Sequence, residues 1–162
     1  MKAELLNDLA TTIHNNAVAN GWYETKRSTN ELLTLAHSEF FEAFEAFRGN
    51  KYTNIVNAAP ILEELLKHNH LDTYPFKNEI KDSFEDELAD TFIRALDMAS
   101  YVGIFCKDLK IIGTAMKGEF TKDVQNFTSI ISGMYNEHLT SDTLTILLST
   151  VWSISKVYGF NL

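Results

Sequence analysis

Residues 31–48 read ELLTLAHSEFFEAFEAFR, and this stretch decides the fold class. An α-helix turns by about 100° per residue, which collects most of these leucines and alanines on one side. Most of the phenylalanines flank that side, while Glu31 and Glu45 fall on the outer side. The stretch therefore predicts a long amphipathic helix whose apolar face packs against a core.

Two carboxylates of this stretch lie where a core is expected. Glu39 falls inside the apolar stripe, and Glu42 falls at its edge. A charge on the inner stripe costs several kcal/mol unless it is paired or bound to a cation. The alanines around these two residues leave space for a ligand. We therefore take Glu39 and Glu42 as candidate metal ligands.

A second stretch, FEDELADTFIRALDMASYV at residues 84–102, repeats the arrangement. Glu87 borders its apolar side, and Asp90, Arg94, Asp97 and Tyr101 continue along one adjacent strip. Residues three and four apart share a helix face, so Glu87 and Asp90 can point to one place. Two antiparallel helices that each offer a carboxylate pair predict an oxygen-rich site suited to Mg²⁺ or Mn²⁺.

Solvated acidic faces are the alternative explanation of such pairs, because charge-rich helices are common. We accept this explanation for Glu79 and Asp82, which have the same spacing but no apolar stripe around them. It is the weaker explanation for Glu39 and Glu42, whose neighbours are apolar.

The remaining chain predicts an all-α protein with a four-helix-bundle-like core of antiparallel helices and extra helices. No run shows sustained period-2 alternation, and glycines follow most of the periodic stretches. Ser28, Thr121 and Ser141 are plausible N-caps, and Pro60 suits a first helical turn. We expect one domain over residues 1–162, with an insertion at about 49–78. The predicted helices cover about 3–20, 29–48, 59–69, 79–102, 121–138 and 142–158.

Composition limits the protein's surroundings and partners. The single cysteine, Cys106, excludes an intramolecular disulfide and follows an apolar run, which predicts a buried, inert thiol. The first residues lack the apolar core of a signal peptide, and no apolar run approaches the ~20 residues of a membrane span. We expect a cytoplasmic protein without membrane contact. The net charge of −8 disfavours binding to a long nucleic acid.

The two acidic stretches, together with Asn20-Gly-Trp22-Tyr, resemble the MazG-type all-α nucleoside triphosphate pyrophosphohydrolases. That family carries ExxE on one helix and ExxD on the next. The resemblance implies that Glu39, Glu42, Glu87 and Asp90 hold Mg²⁺, with Mn²⁺ as a possible substitute. It also implies cleavage of a nucleoside triphosphate between the α and β phosphates, in a homodimer or homotetramer.

The resemblance extends to further roles. Glu42 is our candidate for the carboxylate that accepts a proton from the attacking water. Trp22, Arg94 and Asp97 are candidate substrate-binding residues. Trp22 either stacks on a base or packs in a core or interface. Arg94 either contacts phosphate or pairs with Asp90 four residues earlier.

Two features depart from the family pattern. The insertion makes the separation between Glu42 and Glu87 unusually long. The segment after Gly103 lacks the family's usual Lys- and Asn-bearing stretch that helps to hold phosphates, so Lys107, Lys110 and Lys117 are only candidates for that role.

Two other function classes compete with a pyrophosphohydrolase. A four-helix di-iron protein needs Glu-x-x-His on two helices, and no glutamate here has a histidine three residues later. A non-catalytic helical interaction or accessory protein that retained the fold is the second alternative. The presence of all four acidic residues argues against it.

Overall fold

The computed structural model describes residues 1–68, 74–113, 119–135, 139–160 and 162. These residues form helices and no strand, which confirms the all-α fold class. The helices are α1 (Ala3–Ala19), α2 (Thr29–Arg48), α3 (Ile55–His68), α4 (Tyr74–Glu79), α5 (Phe84–Val102), α6 (Phe120–Met134) and α7 (Ser141–Tyr158).

Four of these helices form a closed bundle. Helix α2 contacts α5, α5 contacts α7, α7 contacts α6, and α6 contacts α2, while α1 packs on the side of α5. The bundle therefore matches the predicted four-helix core, with α1, α3 and α4 as the extra helices.

Cross-contacts show that α2 and α5 run antiparallel. The Tyr101 hydroxyl, near the end of α5, accepts from the backbone N–H of Arg27, just before α2 begins. At the other end, the backbone N–H of Phe84 donates to the Lys51 carbonyl at 2.9 Å. Between these points Arg94 bonds Glu39. This register places the two predicted acidic motifs side by side.

Aromatic rings fill much of the core between the helices. Phe40 of α2 stacks on Phe127 of α6, with ring centroids 3.8 Å apart. Phe84 and Phe120 are fully buried and meet edge to face at 4.9 Å. These rings join α2, α5 and α6, so the phenylalanine-rich faces predicted from the sequence do form the core.

Several predicted helix boundaries are wrong in an instructive way. Helix α5 begins at Phe84 and not at residue 79, because Ser83 accepts the backbone N–H of Asp86 as an N-cap and Asp82 adopts φ 56°. In the insertion, α3 begins at Ile55, so Pro60 lies inside the helix and not in its first turn. The predicted N-caps Thr121 and Ser141 lie inside helices, whose N-caps are Glu119 and Thr140.

The chain after α5, residues 104–113, runs along α7 and is called the strap here. Gly103 ends α5 in the left-handed conformation, φ 73°, as its position after the periodic stretch predicts. Three hydroxyls spaced four residues apart on α7 then accept backbone N–H groups of the strap. The bonds run from Lys107 to Thr145 (3.0 Å), from Lys110 to Ser149 (3.3 Å) and from Ile112 to Ser153 (2.8 Å).

Cys106 lies within this strap. Its side chain is buried, and burial raises the pKa of the thiol to about 11. The expectation of a buried thiol is confirmed. Separately, none of the helices in the described residues is both long enough and apolar enough to cross a membrane.

Candidate metal centre

Three carboxylates from two helices meet between α2 and α5. Glu39 and Glu42 of α2 and Glu87 of α5 each bring one oxygen into a group whose atoms all lie within 4.8 Å of one another. Glu87 is buried, with 5% of its surface exposed, whereas Glu42 is exposed at the mouth of the group. We call these three residues the acid centre. Their spacing and chemistry would suit a cation that prefers oxygen ligands.

The electrostatics of the acid centre are unfavourable without such a cation. Burial and, after it, the nearby charges of Glu42, Asp86, Asp90 and Glu39 together raise the pKa of Glu87 to about 7. A carboxyl group with so high a pKa has lost water and gained no compensating positive charge. The buried Glu87 carboxyl therefore lowers the free energy of unfolding when it is ionised, as is common at sites where a charge serves binding.

Asp90, the fourth predicted ligand, lies outside the group of three but close to it. Burial raises the pKa of Asp90 to about 6, with Asp86 and Glu39 adding to the effect. Asp90 therefore shares the electrostatic environment of the acid centre. Its role as a metal ligand stays a prediction.

Asp86 also belongs to this electrostatic environment. Burial raises its pKa, and its charge acts on both Glu87 and Asp90. The sequence held a usable signal, because Asp86 precedes Asp90 by four residues and must share its helix face.

Arg94 neutralises part of the acid centre from across the helix pair. Its Nε donates to Glu39 Oε1 at 2.9 Å, and its guanidinium lies 4.1 Å from the centre of the Trp22 ring. Neither alternative considered for Arg94 includes this contact: the ion pair is made with Glu39 and not with Asp90. Helix periodicity could not reveal the contact, since it depends on how α2 and α5 are docked.

The three predicted substrate-binding residues line one recess beside Asp90. The recess has a volume of about 430 Å³ and opens between α1, α5 and the segment that carries Trp22. Its polar wall consists of Asn16, Asn20, Trp22, Asp90, Arg94 and Asp97. The structure thus brings the predicted residues together, and their role in binding substrate stays a prediction.

Asp97 already has partners within the protein. Its carboxylate accepts from the Tyr23 hydroxyl at 2.6 Å and contacts His14 Nδ1 at 2.8 Å. Tyr23 also stacks on Tyr101, with ring centroids 4.7 Å apart. These bonds fix the segment between α1 and α2, and with it Trp22. Sequence reasoning missed His14 and Tyr23, whose polar atoms meet Asp97 only after the helices pack.

A second recess lies at the other end of the acid centre. It has a volume of about 460 Å³, and its walls include Glu42, Glu87 and Lys51. The Lys51 ammonium lies 3.5 Å from the Asp82 carboxylate and is about half exposed. Lys51 is the lysine that lines this recess, and it was not among the lysines considered from the sequence.

The lysines that we considered for phosphate binding lie elsewhere. Lys107 and Lys110 belong to the strap on α7, where Lys107 pairs with Asp142, and neither lines the two recesses. Lys117 lies outside the described residues.

Comparison with known proteins adds no relative. No family model matches the sequence, and neither a curated protein nor a solved structure matches it.

Proposed function

We propose that this protein is a metal-dependent nucleoside triphosphate pyrophosphohydrolase that releases a nucleoside monophosphate and pyrophosphate. One observation carries the proposal: three carboxylates from α2 and α5 come within 4.8 Å of one another, next to an arginine and a tryptophan. The resemblance of the two acidic motifs to MazG-type enzymes supports the same reaction.

The residues of the acid centre fit a divalent cation of the Mg²⁺ or Mn²⁺ type. Glu39, Glu42 and Glu87 offer carboxylate oxygens only, which are the ligands that these ions prefer. The buried, uncompensated charge of Glu87 gives a physical reason for a cation at this place. When bound, the ion would neutralise phosphate charge and lower the pKa of a bound water.

The protein's own groups have distinct tasks in this proposal. Arg94 holds Glu39 in the metal-free protein, and a phosphate oxygen competes for the same guanidinium when substrate arrives. Glu42 is the exposed member of the centre, so an incoming water can reach it as a proton acceptor. Trp22 has Arg94 on one face of its ring and lines the recess beside Asp90, where its side chain can contact the substrate.

Metal binding is the first test. The unfolding temperature of EDTA-treated protein should rise when about 5–10 mM Mg²⁺ or Mn²⁺ is added. The reason is that a bound ion adds RT ln(1 + [L]/Kd) to the free energy of unfolding. Glu39→Gln should reduce the shift. Glu4→Gln, an exposed residue on α1, should leave it unchanged. No shift with either ion would contradict the metal centre.

The broken bond is the second test. Hydrolysis in ¹⁸O-labelled water should give labelled nucleoside monophosphate, or labelled pyrophosphate if water attacks the β phosphorus. Asp90→Asn and Glu39→Gln should abolish this hydrolysis, and Glu4→Gln should not. A nucleoside diphosphate with orthophosphate as the first products would overturn the proposal. Metal binding without hydrolysis of any triphosphate would favour the non-catalytic accessory protein instead.

We also propose that the chain assembles as a homodimer or homotetramer, as the resemblance implies. Sedimentation should then give two or four times the 18.4 kDa of one chain.

A further inference from the structure

The insertion between α2 and α5 builds a cavity that the proposed reaction does not use. The cavity has a volume of about 400 Å³, within the range of small-molecule sites. Its walls come from α3, α4, the start of α5 and the end of the chain, and they are mostly apolar. Phe76 and Phe160 contribute aromatic rings, and Ala58 and Ala89 leave the space open. A flat, apolar body fits such walls.

Two carboxylates supply hydrogen-bond acceptors to this apolar cavity. Glu85 and Asp86 both line it, and each uses one oxygen to accept a backbone N–H, from Thr53 at 2.8 Å and from Asp82 at 2.9 Å. Within the described residues, the other oxygen of each carboxylate has no hydrogen-bond partner. An ionised carboxylate can only accept, so a ligand here must present N–H or O–H donors.

The cavity adjoins the acid centre through Asp86. Asp86 lines the cavity, precedes Glu87 in the chain and lies one helical turn before Asp90. Arg94 lies two turns beyond Asp86, roughly 12 Å along the helix axis. One molecule could therefore place a flat ring in the cavity and phosphates between the acid centre and Arg94.

We infer that this cavity is the base-binding subsite of the enzyme and that it selects guanine. Among the common bases, guanine presents two adjacent N–H donors, N1–H and the 2-amino group, on one edge. The remaining oxygens of Glu85 and Asp86 can accept these two donors, one each, in charge-assisted bonds. Adenine and cytosine place an acceptor beside their amino group, and uracil places acceptors on both sides of its N–H. This inference rests on the proposed function for its phosphate end only.

Nucleoside binding tests the subsite without hydrolysis. Guanosine, adenosine, cytidine and uridine carry no phosphate and can be titrated in EDTA, with saturation-transfer NMR as the readout. Guanosine should bind at least tenfold more tightly than the other three. Equal affinities, or no binding of guanosine, would overturn the inference.

Variants assign the binding to this cavity. Glu85→Gln keeps an oxygen for the Thr53 N–H but turns an amino group toward the base, so the preference for guanosine should fall below twofold. Ala89→Leu fills the cavity and should weaken guanosine binding at least tenfold, and Ala59→Leu fills it from α3 if the first variant does not fold. The matched controls are Glu4→Gln and Ala19→Leu, both exposed on α1. Unchanged guanosine binding in both filled variants would also overturn the inference.

The outcomes separate this inference from the proposed function. Metal-dependent hydrolysis of all four nucleoside triphosphates at equal rates, with no guanosine binding, keeps the function and removes the guanine subsite. Guanosine binding that is lost in Ala89→Leu, in a protein that hydrolyses no triphosphate, keeps the subsite and removes the function.

Discussion

Glu87 is the buried member of the acid centre, and this position raises its pKa to about 7. It is almost fully buried, and its nearest charges are carboxylates. Folding pushes this group toward its protonated form, whereas a bound cation would hold it ionised. The stability of the protein and its affinity for metal should therefore respond to this one residue in opposite directions.

Glu87→Gln should separate the two effects. The variant removes a buried charge, so the metal-free protein should gain roughly 1–2 kcal/mol of unfolding free energy. It also removes a ligand, so the stabilisation by Mg²⁺ should disappear. Urea unfolding in EDTA and in Mg²⁺ measures both. A variant that is less stable without metal, yet still stabilised by Mg²⁺, would contradict this account of the acid centre.

The same residue sets a pH dependence. Its pKa is about 7 in the folded protein, against an ordinary value of 4.5. Its contribution to stability is therefore fully present below pH 4.5 and is lost as pH rises through about 7. We expect the stability of metal-free wild type, relative to Glu87→Gln, to fall over this range. Stabilisation by Mg²⁺ should instead grow as pH rises, because the Glu87 carboxyl loses the proton that competes with the ion. A difference between the two proteins that does not change with pH would contradict the prediction.

Residue-level prediction from the sequence succeeded where a helix face was enough. Glu39, Glu42 and Glu87 could be chosen because each lies in or beside an apolar stripe on its own helix. The bond between Arg94 and Glu39 could not be foreseen, because it depends on the docking register of α2 against α5. Asp97 was predicted to contact substrate, yet the carboxylate is already bonded to Tyr23 and His14.

At the scale of elements, the segment between α1 and α2 holds Trp22 over Arg94. Tyr23 anchors this segment through its bond to the buried carboxylate of Asp97. Burial and this bond together raise the pKa of the Tyr23 hydroxyl, so it stays a hydrogen-bond donor at neutral pH. The position of Trp22 thus depends on a residue that lies behind the recess.

Tyr23→Phe should loosen this segment. Losing a hydrogen bond to a charged group should cost about 1.5–3 kcal/mol of stability. The fluorescence anisotropy of Trp22, measured in a Trp152→Phe background, should fall because the ring moves more freely. Tyr52→Phe, at a more exposed ring, should change stability by less than about 0.5 kcal/mol. An unchanged anisotropy would show that Tyr23 does not position Trp22.

Periodicity predicted the long elements well and the insertion poorly. Helices α1, α2 and α7 were located within one residue at either end, because each has a continuous apolar face. The start of α5 was misplaced because Glu79 and Asp82 continue a helical pattern that the Ser83 cap and the Asp82 backbone interrupt. Helix α4 was missed entirely, since six residues are too few for a period to be recognised.

At the scale of the whole molecule, the antiparallel ring of α2, α5, α7 and α6 holds the acid centre between two of its members. Contacts between opposite ends show the alternation of direction: Phe47 with Phe120 and Thr34 with Tyr135 for α2 and α6, and Phe84 with Tyr158 for α5 and α7. The centre joins the second half of α2 to the first turn of α5. A site built on helices is better fixed than one built on loops.

The chain enters and leaves the insertion at adjacent points. The Lys51 carbonyl accepts the Phe84 N–H, and the Thr53 and Ser83 hydroxyl oxygens lie 2.5 Å apart. Residues 54–82 can therefore be exchanged for another segment without separating the ends that hold α2 against α5. Replacing residues 54–82 by a four-residue Gly/Ser linker should preserve metal-dependent hydrolysis and erase the preference for guanine, measured as relative kcat/KM on the four triphosphates. If hydrolysis is lost although circular dichroism shows the helices intact, the insertion is needed for hydrolysis. Because the ends of the insertion meet at Lys51 and Phe84, exchange of this one segment would change which base the protein prefers and would leave the proposed reaction unchanged.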